Sequence, residues 1–271
     1  MKIFISADME GVSGVVHPDQ TDSSHKEYER ARRLMTDEVN AAVAGALAGG
    51  ATEIVVNDSH GSMTNILIES LHERAYLISG SPKPFSMMQG IDEGADTAFF
   101  VGYHAQAGTL QGMMEHTYSS RTVGQAFLNG RPVGEVGLNA ALAGHYGVPV
   151  TLVTGDLAVC QEAKELLGAG IEAVAVKHSY SRTAARCMPP AQAQRAIHEA
   201  AQRALAVAVP PFVVRPPVTV AVEFLQTTHA DVAAFLPGSR RPAPRRVEFT
   251  APDMVIAYQA FLVMLRLAWS A

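Results

Sequence analysis

Apolar residues in the first half of this chain fall in short unbroken runs, not in helical stripes. Lys2-Ile3-Phe4-Ile5-Ser6, Glu53-Ile54-Val55-Val56 and Ala98-Phe99-Phe100-Val101-Gly102-Tyr103 are too short for helices and are bounded by Gly or polar turns. Such runs predict buried parallel strands. Between the first two, His25 to Leu47 carries a helical pattern closed by Gly49-Gly50, so the chain opens as β-loop-α-β. The pattern further predicts a short helix from Ser62 to Leu71, capped by Ser62 or Thr64, and a brief strand from Ala75 to Ile78. Ser79 to Ser86, with Pro82 and Pro84, reads as an ordered loop, and Ala105 to Thr117 as a Gly- and Met-rich loop without periodicity. Asn129-Gly130 between Gln125–Leu128 and Pro132-Val133 is a two-residue hairpin signal. Gly134-Glu135 opens a helix to about Tyr146, followed by a strand from Val150 to Val153.

Past residue 155 helices and strands alternate. Helices are expected over 158–168, 189–207, 229–235 and from Pro252 onward, and strands over 172–176, 218–224 and 245–250. Pro189-Pro190 suits a first helical turn. The proline-rich stretch from Val209 to Pro217 reads as a stiff crossing, and Arg240, Arg241, Arg245 and Arg246 as a basic loop. The resulting expectation is an α/β fold: a mostly parallel central sheet flanked by helices, a metal site at the carboxyl ends of its strands, and a C-terminal α/β lobe. Residues 1–154 would form the metal-binding catalytic α/β region and 155–271 the lobe, or the two would make one continuous domain, 1–271.

Composition narrows the partners. A net charge of −5 over 271 residues disfavours nucleic acid or an anionic membrane. The last apolar stretch, Met254 to Trp269, is interrupted by Tyr258, Gln259 and Arg266 and reads as a core helix, not a membrane span. The apolar stretch after Lys2 stops at Asp8, short of a signal peptide's apolar core. Cys160 and Cys187 form no CxxC, which predicts two buried thiols in a reducing cytoplasm.

The chemistry sits where the strands end. The first run leads into Asp8 and Glu10, the second into His60 and the third into His104. Ligands of open α/β sheets bind outside the carboxyl ends of the strands. Either acid alone would be an ordinary loop residue, and either histidine an ordinary polar one; their coincidence at three strand ends points to a metal. Glu135 is a further candidate, although a carboxylate in a first helical turn already suits the helix dipole. His116, on the loop after His104, could serve as general acid or base or be merely exposed. Asp8, Glu10 and Glu135 together carry three negative charges, so two divalent ions would leave the set net positive by one, as holding a hydroxide requires. Mixed carboxylate and imidazole donors suit Zn²⁺, with Mn²⁺ or Co²⁺ as less selective substitutes.

Other polar residues carry weaker signals. Asn57 and Asp58 would orient a ligand or shape a turn, and Glu223, in the apolar run Val218 to Phe224, would be a buried acid in need of a partner. His17, His25, His72, His145, His178, His198 and His229 read as surface or cap residues, and Met87, Met88, Met113 and Met114 as gap-filling packing.

Five stretches, S-A-D-M-E-G-V-S-G (6–14), V-N-D-S-H (56–60), K-P-F-S-M (83–87), G-Y-H-A (102–105) and R-P-V-G-E-V-G-L-N-A (131–140), resemble in content and order the dinuclear zinc metallopeptidase family of the D-aminopeptidases of bacterial dipeptide-transport operons. The likeness extends weakly to A-Y-Q-A (257–260). It implies two zinc ions per chain held by Asp8, Glu10, His60, His104 and Glu135, with the aspartate bridging, and His116 as the catalytic histidine. It also implies a ring-shaped homodecamer with sites facing an internal channel. Glu115, beside His116, departs from the small polar residue expected there. It could raise the histidine's pKa or bind a substrate amine.

The function expected is a zinc-dependent aminopeptidase hydrolysing the N-terminal residue of short peptides, D-residues first, by a metal-bound hydroxide with His116 in proton transfer. A dinuclear metallophosphoesterase would share the Asp and His donors. It lacks a G-N-H-E stretch here, and Lys83 is the one cation near the ligands to hold a phosphate. A non-catalytic peptide- or metal-binding module, closed by the loop 105–117, is the remaining alternative.

Overall fold

In the computed structural model, which describes residues 1–271, the apolar runs become neighbouring strands. In chain order the elements are β1 (Lys2–Ala7), α1 (Tyr28–Ala48), β2 (Glu53–Asp58), β3 (Ala75–Ile78), β4 (Thr97–Tyr103), β5 (Val123–Leu128), β6 (Arg131–Val133), α2 (Glu135–His145) and β7 (Val150–Asp156). They continue with α3 (Leu157–Leu167), β8 (Glu172–Ser181), β9 (Ala184–Cys187), α4 (Pro190–Ala204), β10 (Val218–Phe224), α5 (Thr227–Ala233), β11 (Arg240–Ala243), β12 (Arg246–Ala251) and α6 (Met254–Ala268). A seven-stranded sheet has the order β3-β2-β1-β4-β7-β8-β9, parallel except for β9. A five-stranded antiparallel sheet has the order β11-β12-β10-β5-β6. Each sheet takes strands from both sides of residue 154.

Residue alternation along the parallel strands divides the core. Ile3, Ile5, Ile54, Val56, Phe99 and Val101 face α1 and α4, with Val39, Val43 and Ile197. Phe4, Phe100 and Val153 face the other way, into a core shared with Val136 of α2 and Val159 of α3; Phe261 of α6 joins the same core from the far side, where α6 packs on α2 and the second sheet. Burial on both faces explains why these strands read as unbroken apolar runs. The chain enters at β1, in mid-sheet, runs outward through β2 and β3, then returns to β4 and runs outward the other way through β7 and β8. The switch in direction opens a crevice between the carboxyl ends of β1 and β4.

Several expectations are corrected. No helix forms from Ser62 to Leu71; Asp58 accepts hydrogen bonds from the amides of Asn65 (2.6 Å) and Ile66 (2.7 Å) and from Asn65 Nδ2 (2.7 Å). Arg32 holds the carbonyls of Asn65 and Thr64, so side chains satisfy the groups a helix would have paired. The arginine-rich segment is half strand: β11 pairs with β12, Arg240 and Arg241 bind Glu248 and Asp231, and Arg245 binds Glu223 at 3.1 Å. Glu223 is therefore a part-exposed, paired acid, not a buried one. His229 is buried instead of surface-lying, and Cys187 is only half-buried, whereas Cys160 is buried. β8 extends well past residue 176 and turns back as β9, a strand absent from the sequence reading. No helix is long and apolar enough to cross a membrane.

Candidate metal centre

Glycine lets the two central strand ends meet backbone to backbone. Gly102 sits at φ +72°, and a Cβ there would lie 2.2 Å from the Asp8 carbonyl oxygen. A Cβ on Gly11 would lie 1.9 Å from the Tyr103 carbonyl oxygen. Instead Gly11 N donates to Gly102 O at 2.8 Å, and Asp8 N to Val101 O at 2.8 Å. Asp8 and His104 thereby emerge side by side. Ser59 N donates to Ala7 O at 2.8 Å and brings the end of β2, with His60, to the same rim. Glu135 is supplied by the first turn of α2, and His116 by the loop that follows β4.

All six sequence-predicted residues converge. His60 Nδ1 lies 3.3 Å from Asp8 Oδ1 and 2.9 Å from Glu10 Oε2. His104 Nε2 lies 3.4 Å from Asp8 Oδ2 and 3.5 Å from Glu135 Oε2. His116 Nε2 lies 3.8 Å from Glu135 Oε1, and its ring stacks on His104 with centroids 4.1 Å apart. Donor atoms of Asp8, Glu10 and His104 all fall within 4.8 Å of one another, as do those of His104, His116 and Glu135.

Backbone carbonyls set each ring. His60 Nε2 donates to Thr21 O (2.9 Å), His104 Nδ1 to Ala105 O (3.0 Å) and His116 Nδ1 to Met114 O (2.9 Å). The remaining nitrogens of His60 and His104 are turned toward the acids, where each carries a proton while no cation is bound and would offer its lone pair to a metal once that proton leaves; such outer partners are what orient metal-binding imidazoles.

The electrostatics ask for a cation. Burial pushes the Asp8 carboxyl up to about 7, and Glu10 adds to it. Burial also opposes charge on His60 and His104, but the facing carboxylates outweigh it and hold both rings well above the ordinary imidazole value. The same pairing, against burial, draws Glu10 and Glu135 down. Burial, then His104, lowers His116. Asp8 Oδ2, Glu10 Oε2 and His104 Nε2 are buried and hold no well-formed hydrogen bond. A buried set of three acids and orphaned donor atoms is what a divalent cation satisfies, so these residues fit a metal.

Two supporting residues escaped the sequence reading. Lys177 is buried on β8 and donates to the carbonyls of Glu10, Val12 and Val15, fixing the loop that carries Glu10. Burial lowers its amine to about 8. Asp156, at the end of β7, accepts from Met113 N at 3.2 Å and anchors the His116 loop. Lys177 directly follows the apolar run Ala173–Val176 within β8, and that was its one available signal; Asp156 had the same strand-end position as the predicted ligands.

Neighbouring charges are already engaged. Lys83 Nζ donates to Asn57 Oδ1 and Asp58 O, both at 2.6 Å, so the one cation proposed for a phosphate serves the β2 exit. Glu115 is held by Arg182 at 3.1 Å, and Arg182 O accepts from Met114 N at 2.8 Å. The unexpected acid thus clasps the His116 loop to the β8–β9 turn.

Comparison with known proteins agrees with this geometry. The D-aminopeptidase family model matches residues 1–263. A D-aminopeptidase of Bacillus subtilis (strain 168) is 44% identical over 273 residues, covering 99% of this chain and 98% of that protein. A solved structure, of the zinc-dependent D-aminopeptidase DppA from Bacillus subtilis, described as a self-compartmentalizing protease, superposes with a TM-score of 0.97. Its identity is 42%, over 100% of this chain and 99% of that one. With a family model spanning nearly the whole sequence and a full-length relative at this identity, the chain belongs to the D-aminopeptidase family.

Proposed function

We propose that this protein is a zinc-dependent aminopeptidase that removes the N-terminal residue, preferentially a D-residue, from short peptides. One observation carries the reading: Asp8 divides its two oxygens between His60 and His104, at 3.3 and 3.4 Å. Glu10 flanks the first histidine and Glu135 the second. Asp8, Glu10 and His60 would hold one ion, and Asp8, His104 and Glu135 a second, with the aspartate shared. Bound zinc would supply an activated water and polarise the scissile carbonyl.

The chain's own residues do the rest. His116, with its Nδ1 proton held by Met114 O, offers Nε2 as the atom that takes a proton and returns it to the leaving amine. Its lowered pKa keeps that nitrogen unprotonated at neutral pH, and its side chain is 17% exposed, open to an incoming peptide. Glu135 faces both His104 and His116 and keeps the two rings in register.

The self-compartmentalizing description of the Bacillus subtilis relative supports a closed homo-oligomer here, a homodecamer on the family resemblance. Two free cysteines support a cytoplasmic setting. The function is tested with D-Ala and L-Ala p-nitroanilides and zinc-loaded protein. Faster release from the D-substrate is expected. No release from either, by folded and metal-replete protein, overturns the reading.

A further inference from the structure

Several residues of the stretches that carry the family resemblance hold no place in the proposed chemistry, yet they are joined by hydrogen bonds beneath it. Asn139 is the hub. Its Oδ1 accepts from the hydroxyls of Tyr118 (3.0 Å) and Tyr258 (2.8 Å), which also contact each other. Its Nδ2 donates to Tyr103 OH at 2.9 Å. Tyr103 OH lies 2.6 Å from Ser6 Oγ, and Ser6 Oγ lies 2.8 Å from Ser59 Oγ. Both serines, with Asn57 Nδ2, converge on the Met87 carbonyl. Ser6, Ser59, Tyr103 and Asn139 are buried to within a few per cent of complete.

Each proposed ligand-bearing segment owns one member. Ser6 precedes Asp8 by two residues, Ser59 and Tyr103 directly precede His60 and His104, and Asn139 lies one turn beyond Glu135 on α2. Tyr118 follows His116 by two residues, sits at φ +60° and donates its amide to Glu135 Oε1 at 2.6 Å. A non-glycine residue in that conformation persists only when its surroundings hold it, and here the hydroxyl end is held by Asn139 and Tyr258. An amide with both ends used fixes direction as well as distance: Asn139 Oδ1 only accepts, from the Tyr118–Tyr258 hydroxyl pair, and its Nδ2 only donates, so the Tyr103 hydroxyl turns its own proton onward to Ser6.

We propose that Asn139 is a positioning residue. By orienting Tyr103 and Tyr118 it sets the placing of His104, Glu135 and His116, and Tyr258 ties that arrangement to α6. The proposal rests on the zinc-peptidase reading and is tested so that the two can fail separately. Zinc affinity is measured by competition with a chromogenic chelator, and kcat and KM on D-Ala p-nitroanilide, for wild type, Asn139→Ala and Tyr103→Phe.

Outer partners of metal ligands are worth roughly 10- to 100-fold in affinity or activity. Asn139→Ala is therefore expected to lose at least about tenfold in zinc affinity or kcat, with KM nearly unchanged, and Tyr103→Phe to lose in the same direction. Wild-type zinc affinity and kcat in both variants, a lowered melting temperature alone, or a change confined to KM overturns the proposal. If Asn139→Ala does not fold, Tyr103→Phe, which keeps the ring, decides. Absence of zinc uptake by wild type would instead sink the functional reading.

Discussion

His116 is the residue whose role is most cleanly separable by mutation. Its Nε2 faces Glu135 at 3.8 Å but no other carboxylate within ion-pair distance, whereas His60 and His104 each face two. His116→Ala is expected to cost at least ~100-fold in kcat while zinc per chain, read by atomic absorption, is unchanged. Loss of both would make it a ligand. A second residue reports on pH. Glu38 is buried, accepts from Ser13 N at 2.8 Å, and burial pushes its carboxyl from 4.5 to about 7. The folded state therefore binds this proton more tightly than the unfolded state. The stabilisation is complete below pH 4.5 and is lost as pH rises through about 7, a swing on the order of 3 kcal/mol. In urea titrations, Glu38→Gln should gain on wild type between pH 5 and pH 8; parallel curves would refute this. At this scale Glu135 and His116 stood out only through the family resemblance, whereas Asp8, Glu10, His60 and His104 were legible because they follow the ends of apolar runs. Lys177 and Asn139 were not, because their partners come from elements far away in sequence and no spacing records them.

At the scale of elements, the segment 59–66 shows a side chain defeating a helical pattern. Asp58 collects three donors from Asn65 and Ile66, and Asn65 Nδ2 also donates to His60 O at 2.6 Å. The loop's shape, and with it the His60 backbone, hangs on one carboxylate. Asp58→Ala leaves those donors without an acceptor and should cost on the order of 3 kcal/mol, seen as a lower urea midpoint, with weaker zinc binding following from it. An unchanged midpoint would mean that the loop is held by Arg32 alone. The strands and the Asn129-Gly130 hairpin were readable from runs and turn chemistry. β9 was not: Ala184-Ala185-Arg186-Cys187 carries no alternation, and its pairing to β8 is what makes it a strand.

For the whole molecule, the main consequence of the proposed centre is coupling between metal and fold. Three buried carboxylates without cations repel and lose their compensation. Exhaustive chelation is expected to lower the melting temperature by several degrees, and zinc to restore it; an unaltered transition would argue against a structural share for the ions. The parallel sheet and its rim followed from sequence because both cores read as apolar runs. The second sheet did not, since β5 finds β10 only across more than ninety residues and β6 joins the sheet through β5 alone. The single-rim layout has a practical corollary. The turns that enter β2, β4 and β7 lie at the opposite ends of those strands, roughly 20 Å away. Each contains an exposed glycine, Gly50, Gly94 or Gly147, with open space around it. An affinity peptide or fluorescent reporter spliced into one of these turns would ride on the scaffold without meeting the catalytic apparatus, which gives the enzyme a natural handle for immobilisation.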